Sequence, residues 1–351
     1  MSEDQISPDR MVGRRLEALP DEVVAGLEVR DAWRRRTAAG TAELEFLVSD
    51  LARWRPGATV RVAFLDGDDE LHGRIVEATR QITDVANLTL DFGRDDATGR
   101  CRRWTESDTE YAAEIRVSFD EGGFWSLVGT DSTDATISPP EGGVGGRPHQ
   151  RSLNLGGFTE ELPDDWQGTV RHEFLHALAF HHEHQNMRGD CENEFRWDDD
   201  EGYVPTRNSR GVFIADPSGR RPGIYTYLAG APNFWPRAKV DHNLRRREGD
   251  EVIAGPFHPD SIMLYAFEPF FYKSTPSPCA PTGNGIDLSD NDRRGLQLIY
   301  PHTAQQVDDL ASRAGQALET WRKDIGLESL GSDRPSPYAD RVEELLAARS
   351  V

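Results

Sequence analysis

The string HEFLHALAFHHEH fills residues 172–184 and contains five of the chain's ten histidines. The segment around it, 169–181, has helical periodicity. On a helix, residues i and i+4 project from one face, so His172 and His176 can share one metal ion. Glu173 sits one residue past the first of them, where its carboxylate can reach a metal-bound water. A zinc ion lowers that water's pKa toward about 7 and polarises a substrate carbonyl, and a carboxylate takes the proton. A catalytic zinc usually has three protein ligands and one open position. His182, six residues beyond His176, is the natural third. The competing reading is an amphipathic helix with surface or core histidines. Composition yields on the order of 0.05 chance matches to this pattern in the chain, which favours the metal.

Outward from this helix the chain reads as α+β or mixed α/β, with one main sheet. Upstream, TVRVAFL (59–65) alternates like a strand, and residues 71–86 carry Leu71, Ile75, Ala78, Ile82 and Val85 at helical steps. NLTLDF (87–92) and EIRVSF (114–119) read as further strands. Residues 131–149, rich in Pro, Gly, Ser and Thr, read as a surface loop, and RSLNL (151–155) as a sheet edge. From 183 to 260 periodicity is scarce. Residues 288–301 read as a short helix with a Ser cap that ends at Pro301, and two amphipathic stretches, near 304–325 and 338–349, close the chain.

Several blocks in the same order resemble the metzincin zinc endopeptidases, most closely the astacin branch. They are the HExxHxxxxxH pattern itself, Phe124-Trp125-Ser126-Leu127-Val128-Gly129, RSLNL (151–155) and SIMLY (261–265). The resemblance spans approximately residues 51–302. It implies a metzincin-like fold: a mainly parallel twisted sheet with an antiparallel edge strand, an active-site helix and a loop-rich C-terminal half. The catalytic domain is then 51–302, divided near 182, with a partly helical extension at 1–50 and a helical one at 303–351. One Zn2+ per chain is implied, held by His172, His176 and His182. Glu173 is implied as the catalytic carboxylate, and Tyr265 as a residue that flanks or ligates zinc and stabilises the oxyanion. Met263 is implied as the Met-turn floor, and Ser152, Leu153, Asn154 and Leu155 as the substrate-binding edge strand. Ala179 replaces the family's glycine, which forces an alanine toward left-handed backbone at a cost of roughly 1–2 kcal/mol. The family's paired disulfides are absent. Glu183 pairs with the mature amino terminus in astacins, a role that some fifty residues before the catalytic region speak against here. His181 and His184 read as solvent-facing or supporting residues.

Composition narrows the alternatives. With 61 acidic against 40 basic residues the net charge is -21, which repels phosphate backbones and argues against nucleic acid. No apolar run approaches a membrane span. The opening MSEDQISPDRMVGRR has no apolar core for a secretory signal, so the expectation is a cytoplasmic protein, with leaderless secretion left open. Three widely spaced cysteines exclude a disulfide framework. The acidic run 198–201 reads as a solvated turn rather than a calcium loop. The expected function is a zinc metalloendopeptidase acting on protein or peptide substrates. The alternatives are a catalytically silent zinc-binding fold used in protein binding or regulation, and a hydrolase of non-peptide amides. Residues 1–50 hold no Cys and no Asp in a recognisable zinc-switch setting. Their apolar positions, and Val307, Leu310, Ala314, Leu318 and Trp321 at the other end, read as faces packed on the catalytic body, with a removable prodomain as the rival.

Overall fold

Alternation makes 59–64 a strand, and three- and four-residue steps make 69–83 a helix. Both are present in the computed structural model, which describes residues 16–38, 51–186, 188–245, 256–328 and 336–350. The helices are α1 (Asp21–Ala38), α2 (Asp69–Thr83), α3 (Trp166–Ala177), α4 (Cys191–Glu194), α5 (Ile224–Leu228), α6 (Arg237–Leu244), α7 (Asp290–Ile299), α8 (Ala304–Glu328) and α9 (Pro337–Arg349). The strands are β1 (Thr59–Phe64), β2 (Thr89–Asp91), β3 (Ile115–Ser118), β4 (Phe124–Ser126), β5 (Leu153–Leu155), β6 (Thr206–Arg207) and β7 (Phe213–Ile214). The architecture is α+β. Two compact units divide the described chain: a sheet unit of residues 19–180 and 292–350, and a loop-rich unit of residues 16–18 and 181–291.

The sheet unit holds five strands in the order β2-β1-β3-β5-β4. The first three pairings are parallel, with Val60 opposite Leu90, Val62 opposite Ile115 and Val117 opposite Leu153. Only β4 runs antiparallel, with Trp125 opposite Asn154. Val60, Val62, Ala63, Phe64, Ile115, Val117, Leu153 and Leu155 are all buried, as expected for parallel strands covered on both faces. Asp68 starts α2 by accepting the Leu71 N–H at 2.8 Å, and Leu71, Ile75, Ala78 and Ile82 form its buried face. The helix α3 packs against α2, β4 and β5.

Two sequence expectations fail here. Ser152–Leu155 is not an edge: β5 lies between β3 and β4, all four residues are buried, and β4 is the edge. The polar alternation in RSLNL misled because Asn154 is satisfied internally. It accepts from Ser118 Oγ at 2.9 Å and donates to the carbonyls of Glu121 and Gly123 at 3.0 and 2.7 Å. Nor is 131–149 simply a surface loop, since Asp131, Ser132, Asp134, Ile137 and Val144 are buried. The buried guanidinium of Arg116 organises this region. It donates to the carbonyls of Ala113, Glu114, Ser132, Gly145 and Gln150 at 2.6–3.2 Å, and burial lowers its pKa to about 10.

Within the sheet unit the terminal helices are part of the packing. Val23 and Leu27 of α1 lie in a cluster with Trp125, Leu127, Ile137 and Val144. A side chain at Gly26 would stand 2.0 Å from the Ile137 carbonyl oxygen, so only glycine permits this approach. Arg30 pairs with Asp131 and Asp134 at 2.5 and 3.0 Å in a buried network. Trp33 meets Trp321 of α8 and Tyr338 of α9, with ring centroids 6.0 and 5.5 Å apart. Arg349 donates to the Leu51 carbonyl at 2.6 Å.

The loop-rich unit is built on aromatic residues, among them Phe195, Trp197, Tyr227, Trp235, Phe267 and Tyr272. It also carries a disulfide, Cys191–Cys279, between residues 88 positions apart; Cys101 is free and buried. This corrects the cysteine reading: a framework is absent among the described residues, but one crosslink is present. Closing so long a loop contributes about 4–5 kcal/mol in chain-entropy terms. The acidic run forms a pinned turn. Asp199 accepts from Gly223 N–H and Thr226 Oγ1, while Asp200 pairs with Arg196 and accepts the Arg221 N–H. No described helix is long and apolar enough to cross a membrane.

Candidate metal centre

His172 and His176 lie one turn apart on α3, with ring centroids 4.9 Å apart. His176 and Glu173 are buried; His172 is half-buried. The helix ends abruptly just beyond. Phe180 N–H donates to the Leu175 carbonyl at 3.0 Å and Ala179 N–H to the His176 carbonyl at 2.8 Å. This is the Schellman arrangement, which needs left-handed backbone at its turning residue, and Ala179 supplies it with φ of 72°. The alanine thus adopts the conformation its position demands. Trp54 Nε1 and Tyr300 OH donate to the carbonyls of Ala177 and Leu178 at 2.8 and 3.1 Å, so the terminal acceptors of α3 are satisfied.

The same turn orients a ligand. His176 Nδ1 lies 2.7 Å from the Phe180 carbonyl oxygen, which places the ring proton on Nδ1 and presents Nε2 as a bare donor nitrogen.

In the loop-rich unit, His182 Nε2 lies 3.1 Å from Glu17 Oε2, and its ring is 4.2 Å from that of Tyr265. Tyr265 is buried, and its hydroxyl donates to the backbone carbonyl of Glu17 at 2.9 Å. Met263 is buried and is tied to the histidine segment by the Glu183 N–H, which donates to its carbonyl at 2.9 Å. The Glu183 carboxylate accepts from Asn186 Nδ2 and from His258 N–H at 3.0 and 2.9 Å. His181 is half-buried. His184 is not solvent-facing: it is buried, its Nε2 is 2.9 Å from the Asn243 carbonyl oxygen, and its ring stacks on Tyr265 at 4.7 Å. It supports the ring that flanks His182.

Glu17, His172, His176 and His182 form a group able to hold a metal ion, with one ligand atom from each lying within 4.8 Å of all the others. Three imidazoles and a carboxylate are donors suited to a tetrahedral zinc. Sequence reasoning missed Glu17. Residues 1–50 hold no Cys and no Asp in a zinc-switch setting, and no local pattern marks a glutamate brought in from more than 150 positions away.

No protein-family model matches the chain, and neither does any curated protein. The chain is similar to solved structures. One is myroilysin, at 24% identity and a TM-score of 0.49, covering 72% of this chain and 97% of that one. A crystal structure of myroilysin matches at 21% identity and a TM-score of 0.41, covering 72% and 86%. High choriolytic enzyme 1, a hatching-enzyme zinc protease from the medaka Oryzias latipes, matches at 17% identity and a TM-score of 0.38, covering 71% and 94%.

Proposed function

We propose that the protein is a zinc-dependent endopeptidase. The observation that carries this reading is the gathering of His172, His176 and His182 into one metal-holding group with Glu173 adjacent to the first ligand. Zinc, when bound by these histidines, supplies an acidified water and a Lewis acid for the scissile carbonyl. Glu173 takes up a proton as the peptide bond is attacked and returns it to the leaving amine. Tyr265 offers a hydroxyl donor beside His182, and the buried Met263 is given the Met-turn role that the resemblance implies. The outer strand β4 has a sheet partner on one side among the described residues, so an extended peptide adds there, in place of the expected Ser152–Leu155. Such pairing uses backbone groups and leaves side-chain preference to other contacts.

Glu17 gives this site a closed form. Held together with the three histidines, the Glu17 carboxylate would occupy the place that a water or a substrate carbonyl needs, so residues near 17 would have to withdraw before a peptide is cut. The same observation favours a second reading, a zinc-holding fold without catalysis, because catalytic zinc sites keep a position open. Casein digestion by wild type and by Glu17→Ala, each with and without a chelator, separates the two. The peptidase reading expects chelator-sensitive hydrolysis, faster in the variant. Absence of hydrolysis from the zinc-loaded variant contradicts it.

A further inference from the structure

Residues 16–18 lie on the loop-rich unit as a short peptide would. The Leu16 N–H donates to Asn233 Oδ1 at 2.8 Å, the Glu17 carbonyl accepts from Tyr265 OH at 2.9 Å, and the Glu17 carboxylate reaches His182. Leu16 and Ala18, both half-buried, pack against the aromatic core of that unit. One of these contacts involves a residue with no part in the metal site, namely Asn233.

Asn233 lies on a hydrogen-bonded loop between α5 and α6. The buried residues Leu228 and Trp235 close the loop, with Trp235 N–H donating to the Leu228 carbonyl at 2.8 Å. Inside it, Asn233 N–H and Phe234 N–H both donate to the Gly230 carbonyl, at 3.1 and 2.9 Å. Phe234 has φ of 52° and is 69% exposed. A bulky residue in left-handed backbone is an outlier, and an exposed ring regains little by packing. Strain of this sort persists where the surroundings fix it, and such positions cluster at ligand-holding sites. What the turn accomplishes here is to aim the Asn233 amide at the backbone of Leu16.

We propose that Asn233 is a substrate-positioning residue. Its side-chain oxygen accepts the backbone N–H of the peptide residue that precedes the one beside His182, and the recess that takes Leu16 favours an apolar side chain there. This rests on the peptidase reading of the site. A backbone N–H belongs to every residue but proline, so Asn233 holds peptides of many sequences and rejects proline at that one position.

The test uses full-length, zinc-loaded protein carrying Leu16→Pro and Glu17→Ala, which removes the chain's own N–H from Asn233 and its carboxylate from His182, and a labelled peptide, GRRLEALP, which copies residues 13–20. A second peptide carries N-methyl-leucine, which removes only the N–H in question. Affinities are read by fluorescence anisotropy. Asn233→Ala should weaken binding of the first peptide about 5- to 10-fold, the worth of one neutral hydrogen bond. Asn233→Asp, which keeps an acceptor oxygen, should restore it. The N-methyl peptide should bind about as weakly as the first peptide binds Asn233→Ala, and should be indifferent to Asn233→Ala. A loss equal for both peptides reports a general structural defect and overturns the proposal. So do unchanged affinity in Asn233→Ala and absence of binding by the parent. Coupled losses without hydrolysis of any peptide would leave Asn233 in its capturing role while contradicting the peptidase reading.

Discussion

Ala179 turns the chain between two candidate metal ligands, His176 and His182, and replacing it tests whether that turn is strained. An L-residue in left-handed backbone gives up about 1–2 kcal/mol. Ala179→Gly removes that penalty but adds unfolded-state entropy of about 0.4–1 kcal/mol. It also deletes a half-buried methyl, worth about 0.4 kcal/mol at half the value of a buried methylene. The balance is a small gain, about 0.5 kcal/mol. Ala179→Val moves the other way, because a β-branched side chain at φ of 72° adds about 1–3 kcal/mol of strain. Urea titrations of the metal-free proteins, followed by circular dichroism, should place the glycine variant at or slightly above wild type and the valine variant clearly below. Zinc titration should keep the same order, since a misdirected turn moves His182 relative to His176. A valine variant as stable as wild type, or a glycine variant losing more than about 1 kcal/mol, would refute the reasoning that backbone conformation dominates at this position.

Three further outcomes follow from particular contacts. Arg116→Leu should lose about 3 kcal/mol or more in urea, because the buried carbonyls around the guanidinium lose their donor. In acid, the sheet unit should hold its stability down to about pH 4 and lose it below. A hydrogen bond and charge from Arg151 hold the Asp120 carboxyl low, and Asp134 is pushed up by burial but brought net lower by Arg30 and Thr136. Both groups therefore contribute fully above the unfolded carboxylate value and lose that contribution as pH falls through their lower folded values. Loss of stability already at pH 6, read as a falling urea midpoint, would assign the acid response elsewhere. Glu17→Ala should leave zinc bound but replace one carboxylate oxygen in its coordination sphere by water, visible in X-ray absorption or in the visible spectrum of the cobalt form. An unchanged spectrum would remove Glu17 from the metal.

The metal helix was legible because its information is local: i, i+4 spacing places His172 and His176 on one face, and the left-handed turn at Ala179 follows from the need to bring back a third histidine. The strand-helix-strand run of β1, α2 and β2 was legible for the same reason, as periodicities of two and 3.6 residues. What was not legible depends on partners distant in sequence. Asn154 reads as the polar member of a half-exposed strand until the carbonyls of Glu121 and Gly123 are seen to satisfy it. Cys191 and Cys279 are separated by 88 positions of irregular chain, too far for spacing to pair them. The Pro- and Gly-rich segment 131–149 reads as surface because its composition matches a turn, whereas Arg116 and Arg30 draw its polar groups inward. Glu17 has no signature in its own neighbourhood.

The central claim is tested most directly by one rate: casein hydrolysis by Glu17→Ala protein, compared with Glu17→Ala carrying Glu173→Gln as well, both at full zinc occupancy. With Glu173 as general base, the double variant should retain one zinc per chain and lose at least about 100-fold in rate. Equal rates for the two proteins would contradict the mechanism.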